Sequence, residues 1–181
     1  MPSILFVCTG NIFRSLVAEY ALKAHLCAHT QWSDWMVGSA GIEARPQPIH
    51  PLVVARLQEK GVDPSAHVQR RLTRDLLDST SWVIAMGRDH QECVRQQFAR
   101  EIPLFNQVCY DQDEPVLDIH EAVPDWAVND AAARVYAASV VEHLWNAMPV
   151  LVSRLNGSHG PLPIVSGPVP SDAGSQGGHR L

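Results

Sequence analysis

The sequence predicts a doubly wound α/β domain built on a four-stranded parallel sheet. Three observations lead there. Short apolar runs alternate with segments of helical period along most of the chain, the pattern of strands joined by crossover helices. The first apolar run ends at Cys8-Thr9-Gly10-Asn11 just before a helix begins, as a buried parallel strand does at its carboxyl end. The chain has 181 residues, 46% of them hydrophobic, which suits one ordinary core and a tail.

Each element has its own signal. Residues 3–8 form a first strand, apolar and closed by Thr-Gly-Asn. From Arg14 to His29, Leu16, Val17, Tyr20, Ala21, Ala24 and Leu26 recur at helical spacing. Trp35 to Ala40 is a second strand, ending at Gly41. Pro46 and Pro48 turn the chain, and Leu52 to Glu59 is a helix closed by Lys60-Gly61. Arg71 to Leu77 is a further helix, Trp82 to Met86 a third strand, Asp89 to Gln97 a helix, and Pro103 to Val108 the fourth strand. Residues 110–130 are acidic and irregular. Asp130 to Met148 is a long amphipathic helix with Ala133, Val135, Tyr136, Val140, Val141, Leu144 and Trp145 on its apolar side. The domain is assigned to residues 1–155. Residues 156–181 are rich in Gly, Pro and Ser without periodicity and read as a disordered tail. Such a sheet is flavodoxin-like and binds ligands beyond the carboxyl ends of its strands, where Cys8 falls.

Composition narrows the function. Charged residues are 18% of the chain and the formal net charge is −5, which argues against nucleic acid as partner. Arg70, Arg71 and Arg74 cluster, as a solvated helix start would have them. The cysteines, Cys8, Cys27, Cys93 and Cys109, form no C-x-x-C pair, so no zinc or other metal site is expected, and no cofactor. The N-terminus lacks the basic lead-in of a signal peptide, and no run approaches the ~20 apolar residues of a membrane span. A reducing cytoplasmic setting and a monomer are favoured.

The chemistry concentrates in Cys8-Thr9-Gly10-Asn11-Ile12-Phe13-Arg14-Ser15. A thiolate is the attacking form of cysteine, and a helix N-terminus beside a cation favours it. Between a strand and a helix, the backbone N–H groups of residues 9–14 can converge on one anion. Gly10 frees the backbone there. Arg14 offers a planar fork to two phosphate oxygens. Ser15 can donate its hydroxyl to the Cys8 sulfur. Sulfur attack then needs a carboxylic acid for the leaving oxygen. Asp111, Asp113, Glu114, Asp118, Glu121, Asp125 and Asp130 are available, and composition does not choose among them.

The Cys8–Ser15 segment resembles the signature of the low-molecular-weight protein tyrosine phosphatases, and the resemblance extends over roughly residues 3–150. It implies a phosphocysteine mechanism with Cys8 as nucleophile, Arg14 as clamp and Thr9 to Arg14 as the phosphate loop. The substrate it implies is a phosphotyrosine protein, a peptide or a small aryl phosphate. It implies that Asn11 is held in a strained backbone by Ser39, in Ser39-Ala40-Gly41, and by His67. It selects Asp125, in Val123-Pro124-Asp125-Trp126, as general acid, with Trp126 in place of the family's proline and serving as an aromatic wall; Asp130 is left as a helix cap. Two departures stand out. Phe13 replaces a second loop cysteine, so no protective disulfide can form with Cys8, which exposes it to overoxidation. Arg45 replaces a rim aromatic and weakens strict phosphotyrosine preference.

Two other functions share this loop. A thioredoxin-coupled arsenate reductase would need two further cysteines after the third strand, where only Cys93 stands. A catalytically silent phosphate-binding regulatory module would keep the loop and lack the acid.

Overall fold

The structure is a computed structural model that describes residues 1–28 and 34–157. The elements run β1 (Ser3–Cys8), α1 (Arg14–Cys27), β2 (Met36–Gly41), α2 (Pro51–Glu59), α3 (Arg74–Asp78), β3 (Trp82–Ala85), α4 (Arg88–Phe98), α5 (Phe105–Tyr110), α6 (Ile119–Ala122), α7 (Asp130–Asn146) and α8 (Met148–Gly157). The strands are parallel in the order β2-β1-β3, with Phe6 paired to Ser39 and Ile84 and Cys8 paired to Gly41.

Alternation along β1 makes the fold doubly wound. Ile4, Phe6 and Cys8 face a large core with Leu16, Leu22, Phe105, Val141, Leu144 and Leu151, supplied by α1, α5, α7 and α8. Leu5 and Val7 face a smaller core with Leu77, Val83, Val94 and Leu104, on the side of α3 and α4. Because strand side chains alternate, Cys8 lies on the α1 side of the sheet.

The fourth strand expected over 103–108 is reduced to one parallel bridge, Ala85 to Leu104, supported by the Ala85 N–H on the Pro103 carbonyl at 2.9 Å. The parallel α/β class holds, but the chain turns at once into α5. The reason lies in the period: Phe105, Val108 and Cys109 are buried at i, i+3 and i+4, which fits a helix face and not a strand. The helix expected from Arg71 starts at Arg74, capped by Thr73, and Arg71 instead pairs beside Gly41. The long helix expected over 130–148 ends at Asn146, and a further helix that the sequence did not suggest, α8, follows it with Pro149 in its first turn, where proline is tolerated. Asn129 rather than Asp130 caps α7; its Oδ1 accepts the Ala132 N–H at 3.2 Å. The expected tail lies outside the described residues from 158 onward. No helix among the described residues is long and apolar enough to cross a membrane.

Candidate active site

The loop between β1 and α1 is held from three sides. Gly41, at the end of β2, lies so close that a Cβ there would sit 2.5 Å from the Thr9 carbonyl oxygen and 2.9 Å from the Asn11 nitrogen, so only glycine allows this approach. The left-handed residue of the loop is Asn11, with φ 55°, not Gly10. At Gly10 a side chain would instead press on the Gln47 amide, whose Nε2 lies 3.2 Å from the position of a Cβ. Phe13 is buried and precedes α1 without a side-chain cap bond.

Asn11 organises the polar interior. Its Oδ1 accepts the Arg70 N–H at 2.9 Å, which fixes the amide orientation. Its Nδ2 must then donate, and does so to Ser39 Oγ at 2.7 Å and Ser15 Oγ at 3.1 Å. Each hydroxyl passes its own proton onward. Ser39 donates to Glu19 Oε2, and Ser15 is directed to Cys8 Sγ, 2.9 Å away. The Asn11 N–H also donates to Cys8 Sγ at 3.3 Å. His67 Nε2 lies 3.0 Å from the Asn11 carbonyl, and burial pushes its imidazole down from the usual histidine range. The neutral ring thus donates its Nε2 proton to that carbonyl. Cys8, Asn11, Ser15, Ser39 and Glu19 are all buried.

Arg14 is 2% exposed and reaches across to the acidic segment. Its Nη1 donates to the Val116 carbonyl at 2.9 Å and its Nη2 to Asp118 Oδ2 at 2.6 Å and Thr9 Oγ1 at 3.4 Å. Glu121 Oε2 is 3.7 Å from Nη1. Arg14 Nε is buried with no hydrogen-bond partner among the described residues.

The carboxylate that meets Arg14 is therefore that of Asp118, not Asp125. Asp125 is exposed, and its Oδ2 accepts from Asn129 Nδ2 at 3.0 Å beside the start of α7. Asp118 is fixed from several directions. Its Oδ1 accepts the Ile119 N–H at 2.7 Å and its own N–H donates to Glu121 Oε2 at 2.6 Å. The Val116 N–H reaches the Met86 carbonyl at 2.8 Å, and Tyr136 Oη donates to the Leu117 carbonyl at 3.0 Å. Asp118-x-x-Glu121 is a capping-box pattern, a sequence signal that marks Asp118 as a fixed helix start. Trp126 is 50% exposed and Arg45 is exposed. Arg70, Glu19, Gln47 and His90 complete the surroundings of the loop, and no local motif pointed to them.

The family model described as low molecular weight phosphotyrosine protein phosphatase matches residues 3–151. A protein-arginine-phosphatase of Bacillus subtilis (strain 168) is 38% identical over 98 residues, covering 54% of this chain and 63% of its own. A low molecular weight protein-tyrosine-phosphatase Ptp of Acinetobacter johnsonii is 32% identical over 97 residues, covering 52% and 63%. An arsenate reductase of Bacillus licheniformis is 37% identical over 87 residues, covering 48% and 58%. The chain thus spans less than two thirds of the length of these relatives. Among solved structures, a YwlE mutant from Bacillus subtilis superposes with a TM-score of 0.71 at 27% identity, over 86% of this chain and 99% of that one. A low molecular weight protein tyrosine phosphatase from T. tengcongensis gives 0.71 at 26% identity, over 85% and 99%.

Proposed function

The chain belongs to the low molecular weight phosphotyrosine protein phosphatase family, and on that premise we propose that it hydrolyses phosphomonoesters of the phosphotyrosine type through a phosphocysteine formed on Cys8. The observation that carries this is the Arg14 guanidinium, which joins the cysteine loop to the Asp118 carboxylate at 2.6 Å while its Nε stays unpartnered.

In the first step the phosphoryl oxygens enter the loop and take hydrogen bonds from the amides of residues 9–14 and from Arg14, displacing Asp118 from Nη2. Cys8 Sγ attacks phosphorus as the P–O ester bond breaks. The Asp118 carboxylate, freed from Arg14, takes up the proton of the entering monoanionic phosphoester and delivers it to the leaving oxygen. In the second step a water forms the new P–O bond, Asp118 takes its proton, and the S–P bond breaks. The Ser15 hydroxyl, already turned to the sulfur, stabilises the departing thiolate. Asp118 takes the acid role in place of Asp125 because it is the carboxylate against the clamp.

Ile12 is half-buried in the loop, and Leu117, beside Asp118, is 37% exposed. Aliphatic surface at both places suits the flat apolar face of an aryl leaving group. The relatives' names extend to protein-arginine-phosphatase and arsenate reductase. Arsenate reduction would need activated thiols near Cys8. Here burial pushes Cys109 up to about 12, and burial, with Asp89 and Glu43 next, pushes Cys93 up. A reducing cytoplasmic setting suits the Cys8 thiolate.

The test is a ranking of phosphotyrosine peptides, phosphoarginine peptides and aryl phosphates by kcat/KM, with acid-quench trapping of radiolabelled enzyme. Label on Cys8 and preference for the aryl esters are expected. Turnover without a trapped phosphocysteine, or a phosphoarginine preference, would overturn the mechanism or the substrate class respectively. No turnover at all would favour the silent module.

A further inference from the structure

His90 is a buried titratable side chain that the mechanism above leaves unused, yet it touches the loop. It lies in the first turn of α4 and is 0% exposed. Its Nδ1 accepts the Gly87 N–H at 2.8 Å. A nitrogen that accepts carries no proton, so in the neutral ring the proton sits on Nε2. Burial, and next the charge of Arg14, push this imidazole down to about 3, so the ring is neutral at ordinary pH. Nε2 is 3.0 Å from Thr9 Oγ1 and 3.3 Å from Asp89 Oδ2. A bare Nε2 lone pair facing that carboxylate would be repelled by it, which also favours the proton on Nε2. Gly87 protects the arrangement: a Cβ there would lie 2.4 Å from Asp89 Oδ1 and 3.0 Å from His90 Nδ1.

Thr9 Oγ1 therefore accepts from His90 Nε2. It also accepts from Arg14 Nη2 at 3.4 Å. Two donors fill the two lone-pair directions of a hydroxyl. The hydroxyl proton of Thr9 must point away from both, and Thr9 is the loop residue that follows the nucleophile.

We infer that His90 is a positioning residue that makes Thr9 an obligatory hydrogen-bond donor to the bound phosphoryl group on the Arg14 side of the loop. The inference rests on the proposed function for the identity of that ligand. The histidine acts through threonine and does not touch substrate.

Inorganic phosphate is titrated calorimetrically into the full chain and its variants, with hydrolysis of 4-nitrophenyl phosphate measured in parallel. Thr9→Val is expected to weaken phosphate about tenfold, the usual consequence of losing a hydrogen bond to a charged group, while Thr9→Ser stays within about threefold. His90→Asn keeps an acceptor for the Gly87 N–H but falls short of Thr9, and is expected to show the same roughly tenfold loss. His90→Gln carries an amide N–H near the Nε2 position and is expected to restore most of the affinity. In a Thr9→Val background, His90→Asn should add nothing, whereas a merely structural histidine would weaken binding in both backgrounds. Urea midpoints of each variant identify any that fail to fold; if the histidine variants fail, the Thr9 pair decides alone. Wild-type affinity in Thr9→Val, or an equal His90→Asn loss with and without the threonine hydroxyl, would overturn the inference. A wild type that binds phosphate without hydrolysing the ester sinks the phosphatase function but leaves this hydrogen bond to be judged by the binding arm.

Discussion

The cysteine loop and the acidic segment supply the two halves of one site, but they are built in opposite ways. In residues 8–15 the polar groups are buried and tied to one another: Asn11 alone connects Arg70, Ser39, Ser15 and the Cys8 sulfur. In residues 111–130 only Val116 is buried, and most charges face water. The loop is fixed by its own residues, by the strand beside it and by His67 and Arg70 in the segment after α2. The Asp118 carboxylate is held at a few distant anchors, the Met86 carbonyl, the Tyr136 hydroxyl and the Arg14 fork. A loop of the first kind is specified by a motif. A segment of the second kind is specified by where its anchors lie in space.

That contrast can be broken experimentally. The largest effect is expected at the loop: Cys8→Ser should cost on the order of 10⁴-fold or more in kcat and keep phosphate binding, measured with an aryl phosphate and by calorimetry. Arg14→Lys should lose roughly 10²- to 10³-fold, since a point charge cannot replace the fork or its contacts to Val116 and Asp118. In the acidic segment, Asp118→Asn should slow a poor leaving group by roughly 10²- to 10⁴-fold, with a smaller effect on 4-nitrophenyl phosphate, while Asp125→Asn stays within about twofold. The reverse ranking would restore Asp125 as the acid. Asn11→Ala should destabilise the fold by about 1–2 kcal/mol through its left-handed backbone, beyond the loss of its hydrogen bonds, as read from urea midpoints.

A further effect is pH-dependent. The His90 imidazole is pushed from 6.5 down to about 3 in the folded chain. Below pH 6.5 the unfolded chain binds a proton that the folded one refuses, so its contribution lowers stability as pH falls from there toward 3. The slope approaches about 1.4 kcal/mol per pH unit. His67 and His143 shift the same way, by burial. Urea unfolding across this range should show the decline, and His90→Gln should flatten it.

Much of this was legible in the sequence because it is local. Cys8 to Ser15 lies between an apolar strand and a helix, whereas Ser39 and His67, 28 and 56 residues from Asn11, are reached only through the family resemblance. The fourth strand is reduced to one bridge at Leu104 because the apolar stretch that looked extended turns into a helix at Phe105. Asp125 is selected by the family resemblance, since composition does not choose among the carboxylates, and only the fold brings Asp118 against Arg14, 104 residues away. His90 was invisible for the same reason: the chain places it 81 residues from Thr9.

Arg14 Nε gives the molecule a thermodynamic signature. A buried donor without an acceptor is a cost the free fold carries, and on the proposed function a bound tetrahedral oxyanion supplies the missing acceptor only in the native state. At a hundredfold excess over its dissociation constant, such a ligand adds about 2.7 kcal/mol. Melting temperature should therefore climb with phosphate, vanadate or sulfate, ranking oxyanions by fit even in a variant whose nucleophile is gone.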